Sequence, residues 1–542
     1  MKATQTYLLA LLSSFLLWLA WPPHTFSAPL LLVGLVPLFI ALDQLIAKRE
    51  PKTGKKVFLT AGLTFLVWNT ACIYWVYNAI SAYNNPAVAL VISLIPYGLG
   101  ALLMTFAFWL YYRFRTVVNN KRIAYLALVS FWMGMEYLHA TWDLAFPWMT
   151  LGNGLAGMHQ LAQWYETTGV YGGSIWILVS NILAFEAYKA FKVNTGYLKI
   201  RPAFGWLIFL IVPAGISLIK YYGYKEKTLP INVVVVQPNI DPYEKMGGIT
   251  PAEQLKTLVH LSDSVAQVNT EYFIWPETAI PSYANEDRIR STTEYMAAQS
   301  FLNKYKNGTL ITGIESLKFY NDKNTLSAKF DPNNNQYYDN FNSAMQVENS
   351  ANVQFYHKSK LIPGVEKMPF PKTLSFLAPV FAGLGGTVSG WGWQENPDVF
   401  YSQNGVGVAP VICYESLWGG WIGESVKNGA QLIAIITNDG WWGNTSGKDQ
   451  HFLYAKLRAI ETRRWVVRSA NTGISGFINQ RGDIVKQSAW WTRDALKMDV
   501  NLNDQLTFYV KSGDIIPQIL SLIGIILALF IPYQTYFRKK KA

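Results

Sequence analysis

The sequence predicts a polytopic α-helical membrane bundle, of about eight transmembrane helices, that carries one large extramembrane α/β domain. Three observations lead there. Long apolar runs recur near both ends of the chain, four basic segments abut those runs, and the stretch between the last two runs alternates short strands with helices.

The apolar runs fall at residues 7–21, 28–46, 57–76, 87–111, 123–138, 172–188, 203–219 and 515–531. A hydrocarbon core of about 30 Å needs about 20 apolar residues in a helix, so several of these are short spans. Lys2 with the first run and Phe26-Ser27-Ala28 has the form of a secretory leader, but Pro22 and Pro23 interrupt the junction and a second apolar run follows at once, so the run counts as a span.

Basic residues then set the orientation. Segments 47–56, 113–122, 189–201 and 538–541 hold 17 Lys or Arg against one acid, Glu50. Their net +16 exceeds the +12 of the whole chain, so the remainder is slightly acidic. A nucleic-acid footprint would put basic clusters on a folded surface. Here they follow the second, fourth, sixth and eighth runs, whereas turns 22–27, 77–86 and 139–171 contain no Lys or Arg. That is the positive-inside pattern. It puts both termini in the cytoplasm and residues 221–514 outside. The expected division is a seven-helix region (1–220), an extramembrane domain (221–514), and a final helix with a basic cytoplasmic tail (515–542).

Composition agrees. Charged residues make up 15% of the chain, against about 25% in soluble domains. Its two cysteines, Cys72 in an apolar run and Cys413 in polar sequence, can build neither a disulfide framework nor a cysteine-based metal site. The six histidines show no metal-ligand spacing. No cofactor, metal or nucleic acid is expected.

The outer stretch reads as α/β, with strands at 231–236, 272–275, 310–313, 353–356, 406–412, 432–436 and 465–468, and helices at 251–268, 287–306, 419–428 and 450–462. Residues 331–340 (DPNNNQYYDN) read as a polar loop.

Candidate chemistry sits at strand ends, where an α/β sheet presents reactive side chains. Cys413 ends an apolar strand and precedes Tyr414 and Glu415. By itself a cysteine there is more often an inert core residue. Glu277 follows a strand in EYFIWPET, where Pro276 stops the ladder; a first-turn helix acid is the competing reading. Lys358 and Lys360 follow another in VQFYHKSKLIP. Strand period would set both on one face, and lysines guarding an exposed edge are the plainer alternative.

Taken together, Glu, Lys and Cys at successive strand ends resemble the signature of the nitrilase, or carbon–nitrogen hydrolase, superfamily. YHKSKLIPGVE, VICYES, TNDGWWG and QHFLYAKLRAIETRRWVVRSANTGISGFINQRG are similar to stretches of the apolipoprotein N-acyltransferases, and FPWMTLGN to a motif of their membrane region. The resemblance covers essentially the whole chain. It implies an αββα sandwich for the outer domain, Cys413 as nucleophile, Glu277 as general base, and Lys358 rather than Lys360 as oxyanion stabiliser. It adds Glu366, Tyr414 and Glu415 as supporting residues.

What it implies for function is a ping-pong transfer of an acyl chain from a membrane phospholipid to the α-amine of the diacylglyceryl-cysteine of apolipoproteins, through an acyl-thioester, at a bacterial inner membrane with the domain in the periplasm. Two departures stand out. Gly364-Val365 replaces an aromatic-glycine pair, and Met246 stands where the family often has Trp, with Tyr243 as a substitute aromatic. Segment 367–398, apolar and Gly-rich with Phe370, Phe376, Leu377, Val380 and Phe381, suits contact with acyl chains or a packed core equally. His451 invites a Cys-His dyad but is better read as structural. Arg458, Glu461, Arg464 and Arg468 read as an ion network under the sheet. Rival readings are a membrane-anchored amidase for small amides, and a transporter or scaffold; the runs hold few ionisable residues, chiefly Asp43 and Glu136.

Overall fold

The computed structural model describes residues 3–48, 50–81, 85–193, 196–245, 248–374, 376 and 390–541. It divides into two compact units: Met1–Ile80, Asn85–Gly223 and Asp514–Ala542 in one, and Ser81–Asn84 with Tyr224–Gly513 in the other.

The first unit is helical. Ala3–Ala20, Val36–Lys48, Thr53–Ile73, Pro86–Val117, Lys121–Thr141, Tyr165–Val193, Tyr197–Gly223 and Ile515–Lys541 overlap the eight apolar runs. By length and apolarity, six helices among the described residues can cross a membrane. The two that fall short are the first, whose apolar part Thr4–Ala20 is shorter, and Lys121–Thr141, which carries Lys121, Arg122, Glu136 and His139. FPWMTLGN forms irregular 3-10 turns buried inside this unit. Backbone of that kind in an apolar setting needs protein partners. Glu136 supplies one, its Oε1 accepting from Leu151 N and from Trp132 Nε1, each at 2.8 Å. Asp43 is tied to Arg115 at 3.1 Å and Lys189 at 2.8 Å. The two acids singled out in the spans are thus engaged by neighbouring helices and turns.

The second unit is a four-layer αββα sandwich. In its first sheet the order is β14-β1-β2-β4-β6-β5, with β3 (Ile280–Asn285) beside β4 and β7 (Val353–His357) beside β6. The members are β1 (Pro230–Gln237), β2 (Tyr272–Ile274), β4 (Thr309–Tyr320), β5 (Lys329–Asp331), β6 (Gln336–Glu348) and β14 (Asp494–Asn501). In the second the order is β13-β12-β11-β10-β9-β8, from β8 (Phe400–Tyr401), β9 (Gly407–Ile412), β10 (Leu432–Thr437), β11 (Val466–Ala470), β12 (Gly476–Ile478) and β13 (Ile484–Gln487).

Period-two alternation builds the layers. Val233 and Val235 of β1 share a core with Val408, Ile412 and Ala434 of the second sheet. Val234 and Val236 turn the other way, onto Leu258 of helix Pro251–Val265 and Phe301 of helix Thr293–Leu302. The outer face of the second sheet packs on Ile422 of helix Gly419–Lys427 and on Phe452, Ala455 and Ala459 of helix Ser446–Thr462. Helix Pro251–Val265 begins where Thr250 and Glu253 close a capping box with Pro251 at the first position.

One expectation fails here. Residues 331–340 are not a loop: β5 and β6 form an antiparallel hairpin, and only positions 332–335 turn. Its polar residues lie on a half-exposed sheet margin, where apolar periodicity is weak.

Candidate active site

Glu277 stands just past β2 and is 6% exposed. Pro276 stops the ladder, and the following Thr278 takes a left-handed φ of 47°. Strand β4 passes directly beneath. A Cβ on Gly313 would meet Thr278 N at 2.3 Å and Glu277 Cα at 2.6 Å, so only glycine lets the strand run so close under the turn. Glu277 Oε1 accepts from Asn342 Nδ2 at 2.8 Å and from Lys358 Nζ at 3.4 Å.

Lys358 comes one residue after β7 ends at His357, so strand period does not relate it to Lys360. It is 1% exposed, whereas the Lys360 ammonium lies over the Trp421 ring at 4.1 Å. Lys358 Nζ also donates to Glu366 Oε1 at 2.7 Å, and Glu366 Oε2 accepts from Ile362 N at 2.8 Å. Burial opposes the Lys358 charge, but Glu366, Glu277 and the Cys413 sulfur outweigh it and hold the ammonium well above the usual lysine range. The loop to Glu366 turns at Gly364, φ 82°, and leaves Val365 exposed.

Cys413 lies at the end of β9 in the second sheet. Among the described residues strand β8 pairs with β9 at Gly407 and Val408, and Pro410 stands beyond that pairing on the sheet margin. Cys413 itself has φ 51°, a left-handed conformation costing of order 1–3 kcal/mol in a non-glycine residue. The chain then makes the 3-10 turn Cys413–Leu417. Burial pushes the thiol well above its ordinary range; Glu277 and Asp439 push the same way, and Lys358 opposes them. Each of these influences but the lysine favours the neutral thiol.

Glu415 is fully buried and ties two segments together. Its Oε2 accepts from Ile412 N at 2.9 Å, and its Oε1 from Tyr356 Oη at 2.7 Å, Ser359 N at 2.7 Å and Lys360 N at 3.2 Å. It thereby braces the Cys413 turn against the Lys358 loop. Tyr414 is buried against Trp418, ring centroids 4.9 Å apart.

His451 stands beside the Cys413 turn. Its Nε2 faces Ser416 Oγ at 2.8 Å and the Cys413 carbonyl oxygen at 3.2 Å, and its Nδ1 faces Asp439 Oδ1 at 3.0 Å. Arg468 Nη2 bonds Asp439 Oδ2 at 2.5 Å. Despite burial, Arg468 and His451 hold the Asp439 carboxyl down to about 2. The arginine network expected as one set is two: Arg468 with Asp439, and Arg458 with Glu461 at 2.9 Å. Arg464 instead donates to the carbonyls of Ala430, Thr462 and Gln505.

Asn342, Lys245 and Asp439 belong to the site's surroundings and carried no sequence expectation. Asp439 lies within TNDGWWG, so the motif held its signal; Asn342 sits in an unremarkable polar run. Tyr243 is half-exposed against Trp441, while Met246 lies outside the described residues. Of segment 367–398, Phe370 and Phe376 are exposed, and Leu377, Val380 and Phe381 lie outside the described residues.

The arrangement offers a carboxylate that can take a thiol proton, a buried ammonium that can stabilise an oxyanion, and a thiol on a strained turn that can carry an acyl group. Among the described residues no cluster could hold a metal.

A family model described as the apolipoprotein N-acyltransferase N-terminal domain matches residues 13–183, and a carbon–nitrogen hydrolase model matches residues 233–505. An apolipoprotein N-acyltransferase of Chlorobaculum tepidum is 30% identical over 542 residues, covering 97% of this chain and 96% of that one. One from Geobacter metallireducens is 26% identical, covering 94% and 92%. Among solved structures, an amidase from Nesterenkonia sp. aligns with 52% of this chain and 92% of its own at 14% identity and a TM-score of 0.34.

Proposed function

Because the chain belongs to the apolipoprotein N-acyltransferase family, we propose that it moves an acyl chain from a membrane phospholipid to the N-terminal α-amine of the diacylglyceryl-cysteine of apolipoproteins. The observation that carries this reading is the Glu277–Lys358–Glu366 chain of hydrogen bonds beside the Cys413 thiol.

Glu277 takes the thiol proton as sulfur attacks the ester carbonyl, and Lys358 faces the oxyanion. Collapse expels the glycerol oxygen, which recovers the proton from Glu277 and leaves as a lysophospholipid. The acceptor amine then attacks the thioester, gives a proton to Glu277, and thiolate departs to take that proton back. Glu366 holds Lys358, while Glu415 and Tyr414 support the Cys413 turn. Residues 221–514 form the catalytic domain, in the periplasm of a bacterial cell, with both termini on the cytoplasmic side of the inner membrane. An amidase for small soluble amides would need one anchor at most, so six helices able to cross a membrane favour lipid substrates.

Two experiments test the reading. Mass spectrometry of lipoprotein N-terminal peptides, from cells whose sole copy carries Cys413→Ala, is expected to find two acyl chains instead of three. Triacylated peptide at wild-type level would refute the assignment. Reporter fusions at Lys192 and Asn335 are expected to report opposite sides of the membrane, since the 17-to-1 basic bias supports one orientation. Same-side signals would overturn the topology.

A further inference from the structure

Behind the Glu277 turn lies a second buried lysine that the mechanism leaves unused. Lys245 is 6% exposed. Its ammonium donates to Thr278 Oγ1 at 2.6 Å and to the backbone carbonyl of Glu277 at 3.3 Å. The lysine is itself fixed. Its carbonyl accepts from Gln254 Nε2 at 3.0 Å, its own N–H donates to the Asp241 carbonyl at 3.0 Å, and Gln254 is fully buried.

The charged groups facing it come from two elements, Glu277 after β2 and Glu315 of β4, and Tyr283 of β3 bonds Glu315 in turn. Glu315 is 5% exposed, and burial raises its carboxyl. A sealed ammonium has lost its hydration and is held by protein dipoles and carboxylates alone. Here those dipoles belong to the residue that carries the base and to the left-handed residue after it.

We infer that Lys245 is a positioning residue for Glu277: its ammonium clamps the strained Glu277–Thr278 turn and fixes the carboxylate's aim at the Cys413 thiol. The inference rests on the role proposed for Glu277. Burial also brings the Lys245 ammonium down to about 8, with Glu277 and Glu315 opposing, so the clamp's charge is lost within an accessible pH range.

The test is the first half-reaction of the full-length protein in detergent micelles. The probe is dipalmitoyl phosphatidylglycerol with labelled acyl chains and no acceptor, so no substrate amine titrates. Lys245→Met is expected to slow acyl-thioester formation about 10²-fold, the typical cost of misplacing a reacting group by about 1 Å. Half-saturating lipid should move by less than about twofold, because ground-state binding is untouched. Lys245→Arg, which keeps a cation able to reach both oxygens, is expected to recover most of the rate. The wild-type rate should fall above about pH 8; that limb should shift upward in Lys245→Arg and vanish in Lys245→Met.

Wild-type acylation by Lys245→Met overturns the inference. So does a slow variant that Arg does not rescue and whose pH profile is unchanged, since that pattern marks a merely structural lysine. Should Lys245→Met not fold, Thr278→Val decides: it removes the hydroxyl that receives the ammonium, and a wild-type rate overturns the clamp. Failure of the underlying mechanism looks different, because Glu277→Gln would then acylate normally whatever Lys245 does.

Discussion

Incubated with phospholipid and no acceptor, the protein is expected to gain the mass of one acyl chain on Cys413. Donor and acceptor are both bulky lipids, so a single pocket takes them more easily in turn than together. A thiol nucleophile divides the transfer into two easier steps and predicts ping-pong kinetics. The thioester must outlast water, which requires a site that excludes it; Cys413, Lys358 and Glu277 are 6%, 1% and 6% exposed. Hydroxylamine should release the adduct. Cys413→Ala should show none, and transfer should fall to background. Cys413→Ser is expected to acylate and then stall, because an oxygen ester yields poorly to an amine. Cys72 is buried in helix Thr53–Ile73, and Cys72→Ala should form the adduct normally. An acyl group found on Cys72, or full transfer by Cys413→Ala, would end this mechanism.

The second large effect concerns the two lysines. Lys358→Ala is expected to lower kcat/KM by about 10²–10³, the usual cost of deleting an oxyanion donor. Lys360→Ala should leave most activity, since that ammonium rests on Trp421, a contact worth about 0.5–1 kcal/mol at a partly exposed site. Thermal unfolding should be followed alongside. Stripping Lys358 from between Glu277 and Glu366 removes the cation that both carboxylates share and leaves Glu277 with Lys245 alone; breaking a buried ion pair costs about 3–5 kcal/mol. A silent Lys358→Ala, or a dead Lys360→Ala, would show that the wrong lysine has been assigned.

How much of this was legible in the sequence varies from residue to residue. The buried strands were open to reading because they are near-continuous runs of Val and Ile, as in 231–236 and 432–436, whereas their stacking as a sandwich came from the family resemblance. Strand ends followed from those runs, and with them Glu277 and Cys413 as candidates. Spacing alone could not choose between Lys358 and Lys360. The choice depends on where β7 stops and on which ammonium is drawn between two carboxylates, both properties of the folded chain. The β5–β6 hairpin was hidden because half-exposed strands such as QYYDN carry little apolar alternation. Lys245 was hidden for a related reason. A buried charge looks like any surface charge until its partner, 32 residues away in Glu277, is brought to it.

Glu277 and Lys358 are mounted on one sheet of the sandwich and Cys413 on the other. On the roles proposed above, one half of the unclosed sandwich would hold a base and a cation with no sulfur to activate, and the other an unassisted thiol, so closure of the two sheets is the folding step that completes the site.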